Sequence, residues 1–597
     1  MATSEQLPDS SSGFRSRIRR LLASRWMIPV AIVLALTLSH RSIYNGLHID
    51  DLFHRAILAG SERFGEDMKK PQAMFRFLSG DREYARKMMD VGSLPWWTDP
   101  KIKAEFLQFF PTQTHILDYL LWPESPVLMH IHSLAWFALL IFLVAIYYRR
   151  ILGPTWMAGL AALMFAVEDG HGMPIGWICN RNILIATSFG IGSLMAHDVW
   201  RRNGKQWGFW LSLILWACCL CSKEAGIATS AYLFAYALWL DKATLWQRFL
   251  TMVPYGIVLV IWRVVRDSLG FGVENLGLYV DPISDPARFA WVMLERYPVY
   301  LLGQVGIPSD MSILFPTLMG SPLWWTAIAV VGVLVVLVWP VLRTDATARY
   351  FATGMLLSVI PICATIPNDR LLMYVGIGAF GLLARFCNAI FVSTEHRPQW
   401  PGWRFVAVPV AVLLLISNLV VSPFLFTLRA RAVMILEPLY VQTRFEESLK
   451  DQDLIVVNSP IPMAASYCLL TYEHDKMPAP RAVRTLAPGI TPVIVKRTDD
   501  RTIEVTTDYL SGLGRLFRNE DNPLPIGEPV KIARMTATVL ERQADRPTRV
   551  AFRFEVPLED PSLRWLCFRE GQYVPWTPPA IGEEVTLKSD WQPKLKW

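Results

Sequence analysis

The sequence predicts a polytopic α-helical membrane protein of about 11 spans that carries a mostly β domain at its C-terminal end. Three observations predict it. Of 597 residues, 53% are hydrophobic and only 18% are charged, below the roughly 25% charged share of soluble domains. The apolar residues fall into runs of roughly 15–22 residues separated by short polar islands, the pattern of helices that cross a bilayer. Beyond about residue 430 these runs give way to short β-rich stretches bounded by Pro and Gly. The net charge of +7 is modest, and Arg and Lys gather at the ends of the runs. That distribution argues topology and excludes a nucleic-acid-binding patch.

Residues 1–26 are polar, with Arg15, Arg17, Arg19 and Arg20 held on the cytoplasmic side by the positive-inside rule. The first span, about 27–44, is an uncleaved signal-anchor, because His40, Arg41 and Tyr44 stand where small cleavage-site residues would follow Leu38. Residues 45–126 form a long first outer loop with amphipathic helices; segment 62–90 is expected along the surface, and Trp96-Trp97 in the interfacial aromatic belt. Ten further spans follow at about 127–147, 154–167, 183–199, 207–221, 225–240, 249–265, 323–342, 351–367, 371–391 and 404–425. The amphipathic segment 288–306 is placed on the outer surface rather than through the membrane. With that choice the basic ends Arg149/Arg150, Arg201/Arg202, Lys242/Arg248, Arg343/Arg349 and Arg397/Arg404, with His396 beside them, all fall inside. The islands Asp50-Asp51, Glu168-Asp169-His171, Asn180-Arg181, Lys223-Glu224, Arg263/Arg266 and Asp369-Arg370 all fall outside.

The membrane domain thus runs over 27–429, and 430–597 is an extracytoplasmic soluble β-rich domain. Its strands are expected at Leu454–Val457, Val493–Val495, Thr502–Thr507, Val530–Leu540, Arg549–Val556 and Leu563–Phe568. Six of the eight Cys lie in or beside spans and read as small buried hydrophobes. Cys468 and Cys567 lie in the outer domain, where a disulfide between them is open to them.

Carboxylates, Arg and Lys collected on one face suit a reaction between an anionic donor and a hydroxyl. A carboxylate takes the hydroxyl proton, and cations hold a leaving phosphate and its developing charge. Outside the cytoplasm there is no ready supply of nucleotide sugars, and a lipid-linked phosphosugar delivered within the membrane removes that difficulty.

At this point the motifs are similar to a known family. Asp50-Asp51 resembles the acidic first-loop motif of the GT-C superfamily of integral-membrane glycosyltransferases. Several stretches resemble the transmembrane O-mannosyltransferases that carry TPR repeats: Phe110-Pro111 through Leu117-Asp118-Tyr119 with Pro126 and His130/His132; His171 through Trp177-Ile178-Cys179-Asn180-Arg181-Asn182; Ser222-Lys223-Glu224; and Asn368-Asp369-Arg370-Leu371-Leu372. The resemblance covers roughly 27–425. Asn180 stands for the family's Gly, Asn182 for its Asp and Phe110 for an Arg, and no TPR repeat follows.

The resemblance implies inverting transfer of one sugar from a polyprenyl-phosphate donor to a protein, lipid or glycan acceptor. Asp50 or Asp51 would be the base, with Asp50 favoured as the first acid. Arg181, Lys223 and Arg370 would contact the donor phosphate, and Glu168, Asp169, His171, Asn180, Glu224 and Asp369 would line the cavity. No cofactor is expected. Glu168, Asp169 and His171 have the residue types of a divalent-metal site, but no metal is expected there. The rival readings are a transporter or flippase of lipid-linked sugars, which would tend to show internal repeats, and a non-catalytic scaffold with an outer binding domain. With no retention signal at the C-terminus, the bacterial inner membrane is the expected location, the active site facing the periplasm.

Overall fold

The computed structural model describes residues 13–588 apart from 62–68, 316, 394, 396, 399, 442 and 444–448. The start of the N-terminal segment, the first part of the amphipathic 62–90 stretch and His396 lie outside the described residues.

Each apolar run forms a helix. In order these are Met27–Ser39, Pro126–Leu152, Trp156–Ala166, Arg181–Asn203, Gln206–Leu220, Thr229–Trp239, Leu245–Ser268, Pro322–Thr344, Ala346–Ile362 and Met373–Phe391. The last is Pro401–Ile416, which continues through a π-helical turn at Ser417–Val421 into Ser422–Arg429. Among the described residues seven helices are long and apolar enough to cross a membrane. Four are shorter: Trp156–Ala166 and Thr229–Trp239 have 11 residues each, Gln206–Leu220 has 15 and Ala346–Ile362 has 17. At 1.5 Å per residue an 11-residue helix rises about 16 Å, roughly half the hydrocarbon thickness of a bilayer. The polar turns at 167–171 and 222–228 adjoin the ends of these two short helices. Segment 288–306 is also helical, Pro286–Gly303, and Tyr300 anchors it by donating to the Ile362 and Ile366 carbonyls at 3.0 and 2.9 Å.

The basic helix ends meet one another. Arg149 donates to the Ala23 carbonyl at 2.9 Å, Arg150 pairs with Asp198, and Arg201 bonds Asp241 at 2.7 Å. The carboxylate islands collect at the opposite ends of the same helices.

The first loop contains more than amphipathic helices. Arg76–Ser79 and Lys103–Glu105 pair antiparallel, and Gly272–Glu274 from a loop some 170 residues later completes the sheet. Helix Arg82–Val91 is capped by Asp81, whose carboxylate accepts from the Glu83 and Tyr84 amides. It ends on Gly92 at φ +83°, where an added Cβ would lie 1.4 Å from the Val483 carbonyl oxygen. Only glycine permits both the left-handed turn and that approach.

Trp96 and Trp97 correct the expected aromatic belt. Both are buried, and their indole N–H groups donate to the Leu486 and Gly514 carbonyls at 3.0 and 3.1 Å. Trp96 meets Tyr509 and Phe552 edge-on. The two rings wedge the first loop into the C-terminal domain, where burying them releases more apolar surface than an interfacial position would.

The C-terminal domain has two sheets. The six-stranded one is antiparallel, in the order Glu584–Leu587, Val493–Arg497, Thr502–Thr506, Arg546–Phe554, Met535–Gln543, Pro529–Ile532. The expected strand Val530–Leu540 is two strands joined at Ala533-Arg534, with Arg534 at φ +61°. The four-stranded sheet runs Gln572–Pro575, Leu563–Arg569, Asp453–Ser459, Ala482–Pro488, with the central strand parallel to both neighbours. Asp453–Ser459 and Ala482–Pro488 are buried throughout, as parallel strands covered on both faces are. The crossover between them is helix Ala464–His474, and it docks on helix Asp50–Leu58.

All eight cysteines are thiols. Cys468 donates to the Thr443 carbonyl, and Cys567 is packed in the separate core beneath strand Leu563–Arg569, so the two do not bridge. Alkylation of the denatured, unreduced protein is therefore expected to add eight labels by intact mass; six would place a disulfide that this packing excludes.

Candidate active site

Asp50 and Asp51 open helix Asp50–Leu58, where the helix dipole favours negative charge. The residue before them, Ile49, has φ +53° and ψ −116°. A β-branched residue with positive φ costs on the order of 1–3 kcal/mol, and here the strained turn aims the two acids in different directions. Asp51 points inward and is 2% exposed. It accepts from the His48 amide at 3.2 Å and the Cys179 amide at 2.8 Å. Burial, aggravated by the charge of Asp50, pushes its pKa up to about 8 in spite of those two bonds.

Asp50 is half-buried and lines a cavity of about 260 Å³. It accepts from the Tyr467 hydroxyl at 3.1 Å, and the Cys179 sulfur lies 3.9 Å from its other oxygen. Burial raises its pKa to about 6, against the opposing pull of the Tyr467 hydroxyl, Arg370 and Lys223. At neutral pH the pair therefore holds one charge, on Asp50.

Lys223 donates to the Asn182 side chain at 3.0 Å, and Asn182 in turn donates to Gln108 at 2.8 Å. Burial and then the charge of Arg370 lower its pKa to about 8. The Arg370 guanidinium lies 5.4 Å from the centre of the Trp177 ring, and its Nε is buried with no hydrogen-bond partner among the described residues. Glu224 lies 3.9 Å from Arg266, and burial raises its pKa.

Arg181 faces the other way. Its side chain is fully buried and pairs with Asp118 at 2.6 Å. It also donates to the Ser133 hydroxyl at 2.9 Å and the Met129 carbonyl at 2.7 Å. Asp118 meets His132 at 2.6 Å as well. The guanidinium thus ties the turn at Cys179 to the neighbouring helices, and Lys223 and Arg370 are the cations left beside Asp50. Asn180 is buried in that same turn, with Nδ2 unpartnered among the described residues. His171 sits between the rings of Phe165 and Phe137, and burial lowers its pKa to about 3, so it is neutral.

The remaining carboxylates form a second cluster around Arg429. Its guanidinium reaches Asp169 at 2.9 Å, Asp310 at 3.0 Å and Asp369 at 2.6 Å. Asp369 also accepts from the Ser309 amide at 2.9 Å and hydroxyl at 2.6 Å. Glu168 accepts from Gln304 at 3.3 Å, and burial next to Asp169 and Asp369 pushes its pKa well up. Gly170 lets the two loops touch, since a Cβ there would lie 2.8 Å from the Asp369 carbonyl oxygen. Among the described residues no three His, Cys, Asp or Glu side chains converge as metal ligands; the cation amid these carboxylates is Arg429.

The structure thus brings Asp50, Asp51, Lys223, Glu224 and Arg370 together, and joins Glu168, Asp169 and Asp369 to them through the 369–370 step. Sequence reasoning missed Tyr467, Asp310 and Arg429. Arg429 carried a signal, the first of two cations, with Arg431, that close the last apolar run; Tyr467 carried none.

No family model and no curated protein matches the sequence. Among solved structures the chain is similar to the oligosaccharyltransferase of Archaeoglobus fulgidus, crystallised with a tethered acceptor peptide containing the NVT sequon. Identity is 11% and the TM-score 0.41, over 78% of this chain and 64% of that one. The chain therefore spans less than two thirds of that protein's length.

Removing Arg181 leaves Asp118 buried beside a single His. Arg181→Met is expected to lower stability by about 3–5 kcal/mol, read as a large fall in the melting temperature of the purified protein. Wild-type melting would contradict the inward-facing ion pair.

Proposed function

We propose that the protein is a GT-C-type membrane glycosyltransferase that moves one sugar from a polyprenyl phosphate to an acceptor hydroxyl. One observation carries the reading. Asp50, titrating near 6, stands with an apolar cavity open to it and two half-buried cations whose charge acts on it, one of which, Arg370, has an Nε unpartnered among the described residues. A base that is ionised at neutral pH and a pair of cations, one with a donor to spare, are what a hydroxyl and a phosphate ester each require.

The step needs no nucleotide. The acceptor hydroxyl gives its proton to the Asp50 carboxylate as its oxygen bonds the anomeric carbon. The bond from that carbon to the phosphate oxygen breaks, and the electron pair stays on the phosphate, held by Lys223 and Arg370. A single displacement inverts the anomeric centre. Asp51 stays protonated and fixes the turn, and Arg181 acts as a positioning residue through Cys179. Glu168, Asp169 and Asp369 act with Arg429 to hold the loop that carries Arg370. Neither a cofactor nor a divalent metal enters the step.

A second cavity supports the donor class. It measures about 470 Å³ and is lined by Ile227, Ala228, Phe234, Met252, Leu259 and Ile360 among others; Ile227 follows Lys223 by four residues in the chain. An apolar slot between helices, lined by the segment that follows Lys223, fits a lipid tail whose phosphate lies at Lys223. The positive-inside rule, applied to the cluster of Arg149, Arg150, Arg201 and Arg202, supports a site and a C-terminal domain on the periplasmic side of a bacterial inner membrane. The acceptor is a protein, lipid or glycan.

The test uses wild type, Asp50→Asn and Asp51→Asn in nanodiscs with labelled polyprenyl-phosphate sugars and membrane acceptors. Wild type is expected to transfer sugar. Asp50→Asn should lose about 10²–10⁴-fold in rate, while Asp51→Asn retains transfer. Lipid crossing the bilayer with its sugar intact would instead support a flippase.

The pH profile is a second check. Rate should rise through about 6 as Asp50 ionises and fall near 8 as Lys223 loses its proton. Arg370→Met should move the acid limb to higher pH, because the charge that lowers the Asp50 pKa is gone. Lys223→Arg should remove the alkaline fall, because Arg keeps its proton.

A further inference from the structure

The cavity that Asp50 opens onto lies between the first loop, the 276–279 segment and the C-terminal domain. Phe53, Phe77, Phe106 and Tyr279 make one wall, with successive ring centres 5.1, 6.4 and 6.3 Å apart. Met88, Leu276, Met463 and Leu516 are among the residues that close it. Among the described lining residues only Asp50 is charged; the other polar groups are Ser93 and the hydroxyls of Tyr84, Tyr279 and Tyr467. Neither Lys223 nor Arg370 lines it.

We infer that this cavity binds the acceptor, and that the acceptor is an uncharged, apolar alcohol of lipid-like character, its hydroxyl on Asp50. The role as acceptor rests on the transferase reading; the binding chemistry does not. An anion entering here would meet the Asp50 charge in an apolar surround with no cation among the described residues of the wall. An extended peptide would bring an N–H and a C=O per residue, and a few scattered hydroxyls cannot partner them. An apolar body with a single hydroxyl leaves nothing unpaired: its O–H donates to the Asp50 carboxylate, on which Tyr467 already fixes the other oxygen. At about 260 Å³ the cavity falls just below the roughly 300 Å³ where sites for drug-sized ligands begin. It therefore takes one arm of the acceptor, with the rest emerging between the first loop and the C-terminal domain. On this view the C-terminal domain selects the acceptor, through Met463, Tyr467 and Leu516.

The experiment uses the full chain in nanodiscs and a photoactivatable medium-chain primary alcohol, with crosslinks mapped by mass spectrometry. Labels are expected on the segments 76–106 and 463–470. An excess of the unlabelled alcohol should displace them, and the carboxylate of equal chain length should do so at least about tenfold less well. Leu516→Arg and Leu78→Arg, each placing a cation in a half-buried part of the wall, should lose the label while melting like wild type. Labels spread evenly over lipid-facing helices, equal competition by the carboxylate, or displacement by peptides alone would overturn the inference. The two readings separate cleanly. Specific labelling without consumption of any polyprenyl-phosphate sugar sustains the alcohol site against the transferase. Asp50-dependent transfer in a protein that the alcohol neither labels nor inhibits sustains the transferase and ends this proposal.

Discussion

The Asp50 carboxylate loses its water as the C-terminal domain closes over helix Asp50–Leu58, and every neighbouring group either offsets or deepens that loss. Tyr467 supplies a hydrogen bond from 417 residues away in sequence. Lys223 and Arg370 supply charge from two other loops, and the helix terminus adds its dipole. Asp51 works in the opposite direction, and the strained Ile49 keeps it aimed away. The membrane helices, the first loop and the C-terminal sheets are arranged so that these groups arrive at one point from four separate stretches of chain.

The second cluster explains how Arg370 is held. Its neighbour Asp369 is bound by Arg429 and by Ser309, and Arg429 also binds Asp169 and Asp310. One guanidinium at the end of the last membrane helix therefore ties together three loops. Breaking a buried ion pair of this kind leaves charges without partners, which costs more than the intact network contributes. Arg370, one residue on, takes its place over Trp177 with an Nε that has no partner among the described residues.

Much of this was legible in the sequence, and the rest was hidden for definite reasons. Hydropathy located all eleven apolar helices because apolar run length is a local property. Parity of charge along the chain grouped the islands of Asp50, Lys223 and Asp369 without any knowledge of packing. It could not separate Arg181 from Arg370, because both are cations at outer helix ends and only the position of Asp118 turns one of them inward. Trp96 and Trp97 look alike in a membrane interface and in a domain core; the deciding partners, Leu486 and Gly514, lie about 400 residues away. The strands Arg76–Ser79, Lys103–Glu105 and Gly272–Glu274 have three or four residues each, too few to show alternation. Helix Ala464–His474 sits among β-rich runs, and its place as a parallel crossover is fixed only by the pairing of the strands on either side.

The two 11-residue helices, Trp156–Ala166 and Thr229–Trp239, bear on the bilayer itself. A helix that rises about 16 Å leaves a mismatch with a hydrocarbon layer of about 30 Å, and lipids answer such a mismatch by thinning. Next to these helices lie the turns with Glu168 and Asp169 and with Lys223 and Glu224. Both helices are largely buried among longer ones, so the short rise sets the depth of these charged turns inside the protein. On the proposed reading, a lipid phosphate bound at Lys223 would meet it at a turn that a helix spanning the full hydrocarbon layer would carry farther out.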